Sequence, residues 1–118
     1  MNYTELDVWK STRMLVKEVY VLSASFPNEE MYALTNQIRR CAVSIPSNIA
    51  EGLGRRTNKE TIHFLFVSKG SIYELETQLF LAFDLNYISK VEFEKILEQI
   101  IICKKLLNGF INYFKSKK

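Results

Sequence analysis

Leu34-Thr35-Asn36-Gln37-Ile38-Arg39-Arg40-Cys41-Ala42-Val43-Ser44-Ile45-Pro46-Ser47-Asn48-Ile49-Ala50-Glu51-Gly52 is the stretch on which the fold turns. Its apolar residues Leu34, Ile38, Cys41, Ile45 and Ile49 are separated by 4, 3, 4 and 4 positions. That spacing lines one side of a helix and would scatter over both faces of a strand. A helix starting near Asn28 or Glu29 is expected, with Gly52 and Gly54 stopping it as left-handed caps. Pro46 removes the amide that would bond the Ala42 carbonyl, so a kink or break is expected there. Gln37, Arg40, Ser44, Ser47 and Glu51 form a polar stripe beside the apolar seam. It reads either as a solvated face or as a polar subunit interface in which Arg39 or Arg40 meets Glu51, Glu74 or Glu76.

The same periodicity extends in both directions. Upstream, Val8, Leu15, Val19, Leu22 and Phe26 predict a helix from about Asp7 to Ser25, ended by Pro27, which pushes its predecessor out of the helical region. Downstream, Thr57 with Glu60 and Ser89 with Glu92 match the Ser/Thr-x-x-Glu capping box. They open helices predicted over Asn58 to Leu85 and Ser89 to Phe114, the last with the seam Phe93, Ile96, Ile100, Leu107, Ile111 and Phe114. The short Asn86-Tyr87-Ile88 connection makes its flanking helices antiparallel neighbours. The expected fold is all-α, an antiparallel up-down-up-down four-helix bundle filling residues 1–118 as a single domain. Gly70, in the middle of the third helix, costs about 1 kcal/mol relative to Ala, which points to tight helix packing at Gly70 and Ser71.

Residues 62–67 and 79–83 are apolar nearly all the way round their helix, more than one core-facing stripe requires. A second buried surface, supplied by further copies of the chain, is expected, against the alternative of a broad core face with scattered exposed aromatics.

The 118 residues are 47% hydrophobic and 25% charged, which suits one globular core rather than disorder. The longest stretches without a charge hold ten residues, Val19 to Asn28 and Cys41 to Ala50, against the ~20 that cross a bilayer. No basic start followed by an apolar stretch marks a secretory signal, so a cytoplasmic location is expected. Cys41 and Cys103 read as reduced core residues, too few for a structural zinc site. His63 is the only imidazole; set in an apolar run, it reads as a core or interface residue. No Glu-x-x-His pair, Walker motif or third glycine accompanies Gly52 and Gly54. No catalytic residue, cofactor or metal is expected, and the chain reads as a non-enzyme.

Charge is segregated beneath a net +3. Residues 1–30 carry three bases and five acids, 31–59 five and one, 60–98 three and seven, and 99–118 five and none. In an antiparallel bundle Arg55, Arg56, Lys59, Lys115, Lys117 and Lys118 gather at one pole, and Glu29, Glu30, Asp84, Glu92 and Glu94 at the other. The basic pole suits nucleic-acid phosphates, although complementation of helix dipoles accounts for part of the pattern.

The stretch Gln37 to Gly52 with Gly54-Arg55, together with Leu6-Asp7-Val8-Trp9-Lys10, Phe26-Pro27 and Gly70 to Leu79, carries a resemblance. It is similar to the bacterial four-helix bundle proteins encoded in intervening sequences of 23S ribosomal RNA genes. That family also includes the accessory variability determinant of diversity-generating retroelements. The resemblance implies a homopentameric ring of four-helix protomers with a basic central channel, near ribosomal RNA genes or a reverse transcriptase. Arg39, Arg40, Arg55 and Arg56 fall on or beside its motif, whereas the lysine-rich tail departs from it, as does Cys41 where Ala is expected. The expected nucleic-acid-binding residues are therefore Arg39, Arg40, Arg55, Arg56, Lys59, Lys115, Lys117 and Lys118, facing RNA or DNA. The competing expectation is a scaffold that docks a partner protein such as a reverse transcriptase without touching nucleic acid.

Overall fold

The computed structural model describes residues 1–117. Four helices, α1 (Asp7–Ser23), α2 (Leu34–Leu53), α3 (Asn58–Asp84) and α4 (Lys90–Lys115), make up most of them, with 3-10 turns at Tyr3–Glu5 and Asn28–Glu30. No strand occurs among the described residues.

Local chemistry sets several of the boundaries. At α4 the capping box is complete: the Glu92 amide donates to Ser89 Oγ over 3.1 Å and the Ser89 amide to Glu92 Oε1 over 2.9 Å. The bond from the Ser89 amide, joined by that to its side chain, holds the Glu92 carboxyl below its ordinary pKa. Thr57 supplies half of the same device, accepting from the Glu60 amide at 3.1 Å. The start expected for α2 near Asn28 is overturned. A 3-10 turn and an irregular Ala33, with φ −124° and ψ −109°, precede a helix that begins at Leu34. The cause is tertiary: Tyr87 donates to Glu30 Oε2 over 2.7 Å and its ring lies 5.4 Å from that of Phe26, so the α1–α2 connection is pinned against the α3–α4 connection.

Gly52 and Gly54 are not left-handed caps, since no glycine has a positive φ. That conformation falls instead on Asn86, at φ 64°. The amides of Asn86 and Tyr87 bond to the carbonyls of Phe83 and Ala82, both at 2.9 Å. This is the Schellman closure, with Asn in the place glycine usually takes.

Small side chains let α2 and α3 approach closely. The Thr61 hydroxyl donates to the Gly52 carbonyl over 2.7 Å, Ser68 to the Ile45 carbonyl over 2.8 Å, and Cys41 Sγ to the Ser71 carbonyl over 3.1 Å. In these pairs the number rises on one helix as it falls on the other. The expected break at Pro46 does not occur, and α2 runs through it. Ser44 feeds the Cys41 carbonyl over 2.6 Å and Asn48 the Ser44 carbonyl over 2.7 Å, while the bonds from α3 clamp the same segment.

Each helix packs on its neighbours in the chain and α1 closes the circuit on α4, with no close backbone contact between α1 and α3 or between α2 and α4. The molecule measures 48 × 25 × 21 Å. Leu15, Val19, Ile38, Ile45, Ile49, Leu65, Ile72, Leu75, Leu79, Ile100 and Leu107 are fully buried at its centre. No helix is long and apolar enough to cross a membrane among the described residues.

The tight packing expected at Gly70 and Ser71 holds for Ser71, whose carbonyl accepts from Cys41 across the helix pair, and not for Gly70. A Cβ on Gly70 would meet nothing within 4 Å, whereas one on Gly52 would lie 2.9 Å from Phe64 Cβ and 3.1 Å from the Thr61 carbonyl oxygen. The helical period places Gly70 on the outer surface of α3, so its glycine serves no contact within the protomer. Two substitutions of identical chemistry should therefore have opposite effects. Gly70→Ala should raise stability by about 0.5–1 kcal/mol through helix propensity and a less free unfolded chain. Gly52→Ala should lower it by about 1–2 kcal/mol, because backbone and Cβ atoms cannot yield as a flexible side chain would. Thermal melts of the two variants beside the parent check both signs.

Candidate nucleic-acid interface

The exit of α2, the first turns of α3 and the end of α4 converge, and five of the expected cations come together there. The Arg55 guanidinium lies over the Phe64 ring at 4.5 Å, and Lys115 Nζ lies 5.0 Å from the Phe66 centroid. Lys117 Nζ stands 4.5 Å from the Tyr113 ring and 5.8 Å from that of Phe114. Arg56 and Lys59 are exposed on the turn and the first residues of α3. Cations seated on aromatic faces keep their charge while gaining a fixed position. Sequence reasoning found these cations but missed their aromatic partners; Tyr113 and Phe114 immediately ahead of Lys115 and Lys117 were the available signal for the tail, whereas Phe64 and Phe66 carried none. Lys118 lies outside the described residues.

Arg39 and Arg40 are not part of this cluster. About 21 Å of helix separates Arg39 from Leu53 at 1.5 Å per residue. Arg39 is half-buried, its Nε donating to Ser23 Oγ over 2.9 Å and its guanidinium lying 4.8 Å from the Tyr20 ring. Arg40 is exposed. Two of the carboxylates considered for pairing with them are engaged elsewhere in the same protomer. Glu51 lies 3.4 Å from Arg55, and both Glu76 oxygens accept from Lys104 Nζ at 2.9 Å. That second pair joins α3 to α4 with each side chain only about a quarter exposed (22% and 24%), and Lys104 also sits 4.5 Å from the Tyr73 ring.

The opposite end is acidic. Glu30 accepts from Tyr87, and this bond, aided by burial, pushes the phenol pKa up. Glu94 forms a loose 4.0 Å pair with Lys90 in open solvent. Between the ends, α3 carries Phe66, Tyr73 and Phe80 at seven-residue intervals, still 41%, 47% and 48% exposed. Gly70 and Thr77 fall between the rings on the same outer side. His63 is exposed as well, which overturns the core reading of this residue and leaves the interface one.

No cluster of three or more His, Cys, Asp and Glu side chains suited to a metal occurs among the described residues. Both thiols are free and buried. Burial pushes Cys41 from its ordinary 9.0 up to about 12, with the Glu74 carboxylate adding to the rise, and burial raises Cys103 against the opposing bond from Ser11. A thiol held protonated in the folded chain but free to ionise in the unfolded one supports stability fully below the unfolded pKa. That support is lost as pH climbs toward the folded value. Thermal stability should therefore fall between about pH 9 and about pH 12. Cys41→Ala should flatten that decline, as melts across the alkaline range will register.

The sequence pattern of the 23S rRNA-intervening sequence proteins matches residues 4–109 of this chain. A crystal structure from Bacteroides thetaiotaomicron VPI-5482, described as a protein with unknown function from the S23 ribosomal protein family, has the same fold. It superposes with a TM-score of 0.82 over 89% of this chain and 95% of that one, at 24% sequence identity. No curated protein matches the chain.

Proposed function

From the premise that the chain belongs to the 23S rRNA-intervening sequence protein family, we propose that it is a non-enzymatic cytoplasmic homo-oligomer, a pentameric ring of up-down-up-down bundles, that binds RNA or DNA through its basic ends. One observation carries the nucleic-acid reading. Helix-dipole complementation accounts for Lys115 in the last turn of α4, but Lys59 stands in the first turn of α3, where the dipole disfavours a cation. A base kept where its own helix opposes it is accounted for by an anion arriving from outside. Arg55 lines the same groove as Lys59, Arg56, Lys115 and Lys117 add the same sign toward that end, and a ring multiplies the cluster once per protomer, concentrating the field. The opposed numbering of the α2–α3 contacts supports the alternating helix directions. The half-exposed row of Phe66, Tyr73 and Phe80 supports coverage by neighbouring copies.

The two halves of this reading separate experimentally. Replacing Arg55, Arg56 and Lys59 together with Gln should weaken binding of single-stranded RNA and reduce the slope of log affinity against log salt by roughly 2, as the loss of three positive charges beside the strand requires. Light scattering should show the assembly unchanged. Tyr73→Asp should do the reverse, yielding a folded protomer by circular dichroism and a lower mass by light scattering. Affinity that ignores salt would leave the competing partner-protein scaffold as the better account, and a parent chain that remains a folded monomer on dilution would overturn the ring.

A further inference from the structure

The turn from α2 into α3 shapes a groove of about 330 Å³ lined by Arg55, Lys59, Glu60, His63 and Phe64. Its size matches the small end of ligand-binding clefts, and its walls differ in kind. The Arg55 guanidinium is held from two directions, over the Phe64 ring at 4.5 Å and against the Glu51 carboxylate at 3.4 Å, yet its side chain remains 42% exposed. His63, exposed on the same turn of α3, stands edge-on to Phe64 with ring centroids 5.4 Å apart and planes at 77°. Glu60 contributes a carboxylate, which accepts hydrogen bonds and repels phosphate. A simple anion is therefore poorly served beside Glu60, and the cations that suit phosphate are Lys59 in the lining and the exposed Arg56, next in the chain to Arg55.

We propose that this groove is a nucleobase-stacking subsite for single-stranded nucleic acid. One unpaired base rests on the face of the Arg55 guanidinium turned away from Phe64 and against His63, while the phosphates on either side of it meet Lys59 and Arg56. The proposal rests on the nucleic-acid reading above and narrows it from nucleic acid in general to strands with splayed bases. A base within a duplex has both faces covered by its neighbours and cannot enter, whereas an unstacked one offers a free π-face. Planar guanidinium groups stack on such faces where an ammonium cannot. Because Phe64 and Glu51 already restrain the Arg55 side chain, less of its freedom is lost when a base arrives. Base amino hydrogens also satisfy the Glu60 carboxylate that a phosphate would oppose.

Fluorescence anisotropy with a labelled oligoadenylate RNA, its DNA counterpart and a labelled RNA duplex tests the subsite, using the full chain and the variants Arg55→Lys, His63→Ala and Lys59→Gln. All three altered side chains lie at the surface, and circular dichroism melts verify that each variant folds. The single strand is expected to bind about tenfold more tightly than the duplex. Arg55→Lys, which keeps the charge and removes the plane, should cost about tenfold on the single strand and leave the salt slope unchanged, the scale of one lost base stack. His63→Ala should lose affinity without a change of slope, and Lys59→Gln should weaken strand and duplex alike. DNA should bind as RNA does, since no contact here reads the 2′-hydroxyl; binding of RNA alone would overturn a subsite built from stacking and phosphate contact. Equal affinity for strand and duplex, with Arg55→Lys and His63→Ala silent while Lys59→Gln weakens both, would overturn the subsite and leave the broader reading standing. Absence of binding to every nucleic acid at low salt would overturn both.

Discussion

The close approach of α2 to α3 is the constraint on which the other features of the protein depend. Gly52 has no room for a Cβ, and hydroxyl or thiol donors at Thr61, Ser68 and Cys41 reach across to carbonyls of the facing helix. Side-chain bonds to already bonded helical carbonyls fix the register as well as the distance. They do so along most of α2, on both sides of Pro46. With the two helices locked at the Gly52 end, the turn joining them has little freedom. Arg55 is delivered onto Phe64, and Lys59 is left facing solvent beside it. The basic end is thus a consequence of how two helices meet, as much as of how many bases the chain contains.

The outer surface of α3 has a different logic. Its inner residues Leu65, Ile72, Leu75 and Leu79 fill the core, and the Lys104–Glu76 pair marks its border with α4. Beyond that border lie rings that the protomer does not bury. Phe80 retains an edge contact with Phe93 at 4.9 Å, Tyr73 lies beside Lys104 and Phe66 beside Lys115, so each ring is braced from one side and open on the other. Braced aromatics present apolar area at small entropic cost when a second surface arrives. Gly70, which has no contact of its own inside the protomer, falls in the same row.

Charge and apolar area are therefore divided between regions of one small molecule. Cations collect where α2, α3 and α4 end or begin together, carboxylates where α1 ends and α4 begins, and exposed rings along the side between. The two regions meet at Phe66, whose ring carries Lys115. The charge count by segment already separated bases from acids along the chain, and the short α2–α3 connection leaves few other placements for Arg55.

Hydrophobic spacing and capping chemistry were sufficient for what is local. Three of the four helices lie where periodicity and punctuation place them, and Ser89 with Glu92 forms the box their spacing implies. These properties depend on neighbours within a few positions. The start of α2 depends on Tyr87, 57 residues beyond Glu30, so the pattern before Leu34 carried no sign of it. Which glycine packs tightly, Gly52 or Gly70, depends on which helix face meets another helix, and residue type is silent on that. The candidate site divides along the same line. Its cations were legible because charge is written in the sequence, whereas their seating on Phe64, Phe66 and Tyr113, and the separation of Arg39 from them, arose only when distant segments were brought within a few ångströms. Local rules chose the rods and their charges; packing between rods chose which side chains became neighbours, because that choice is made by contacts no single segment contains.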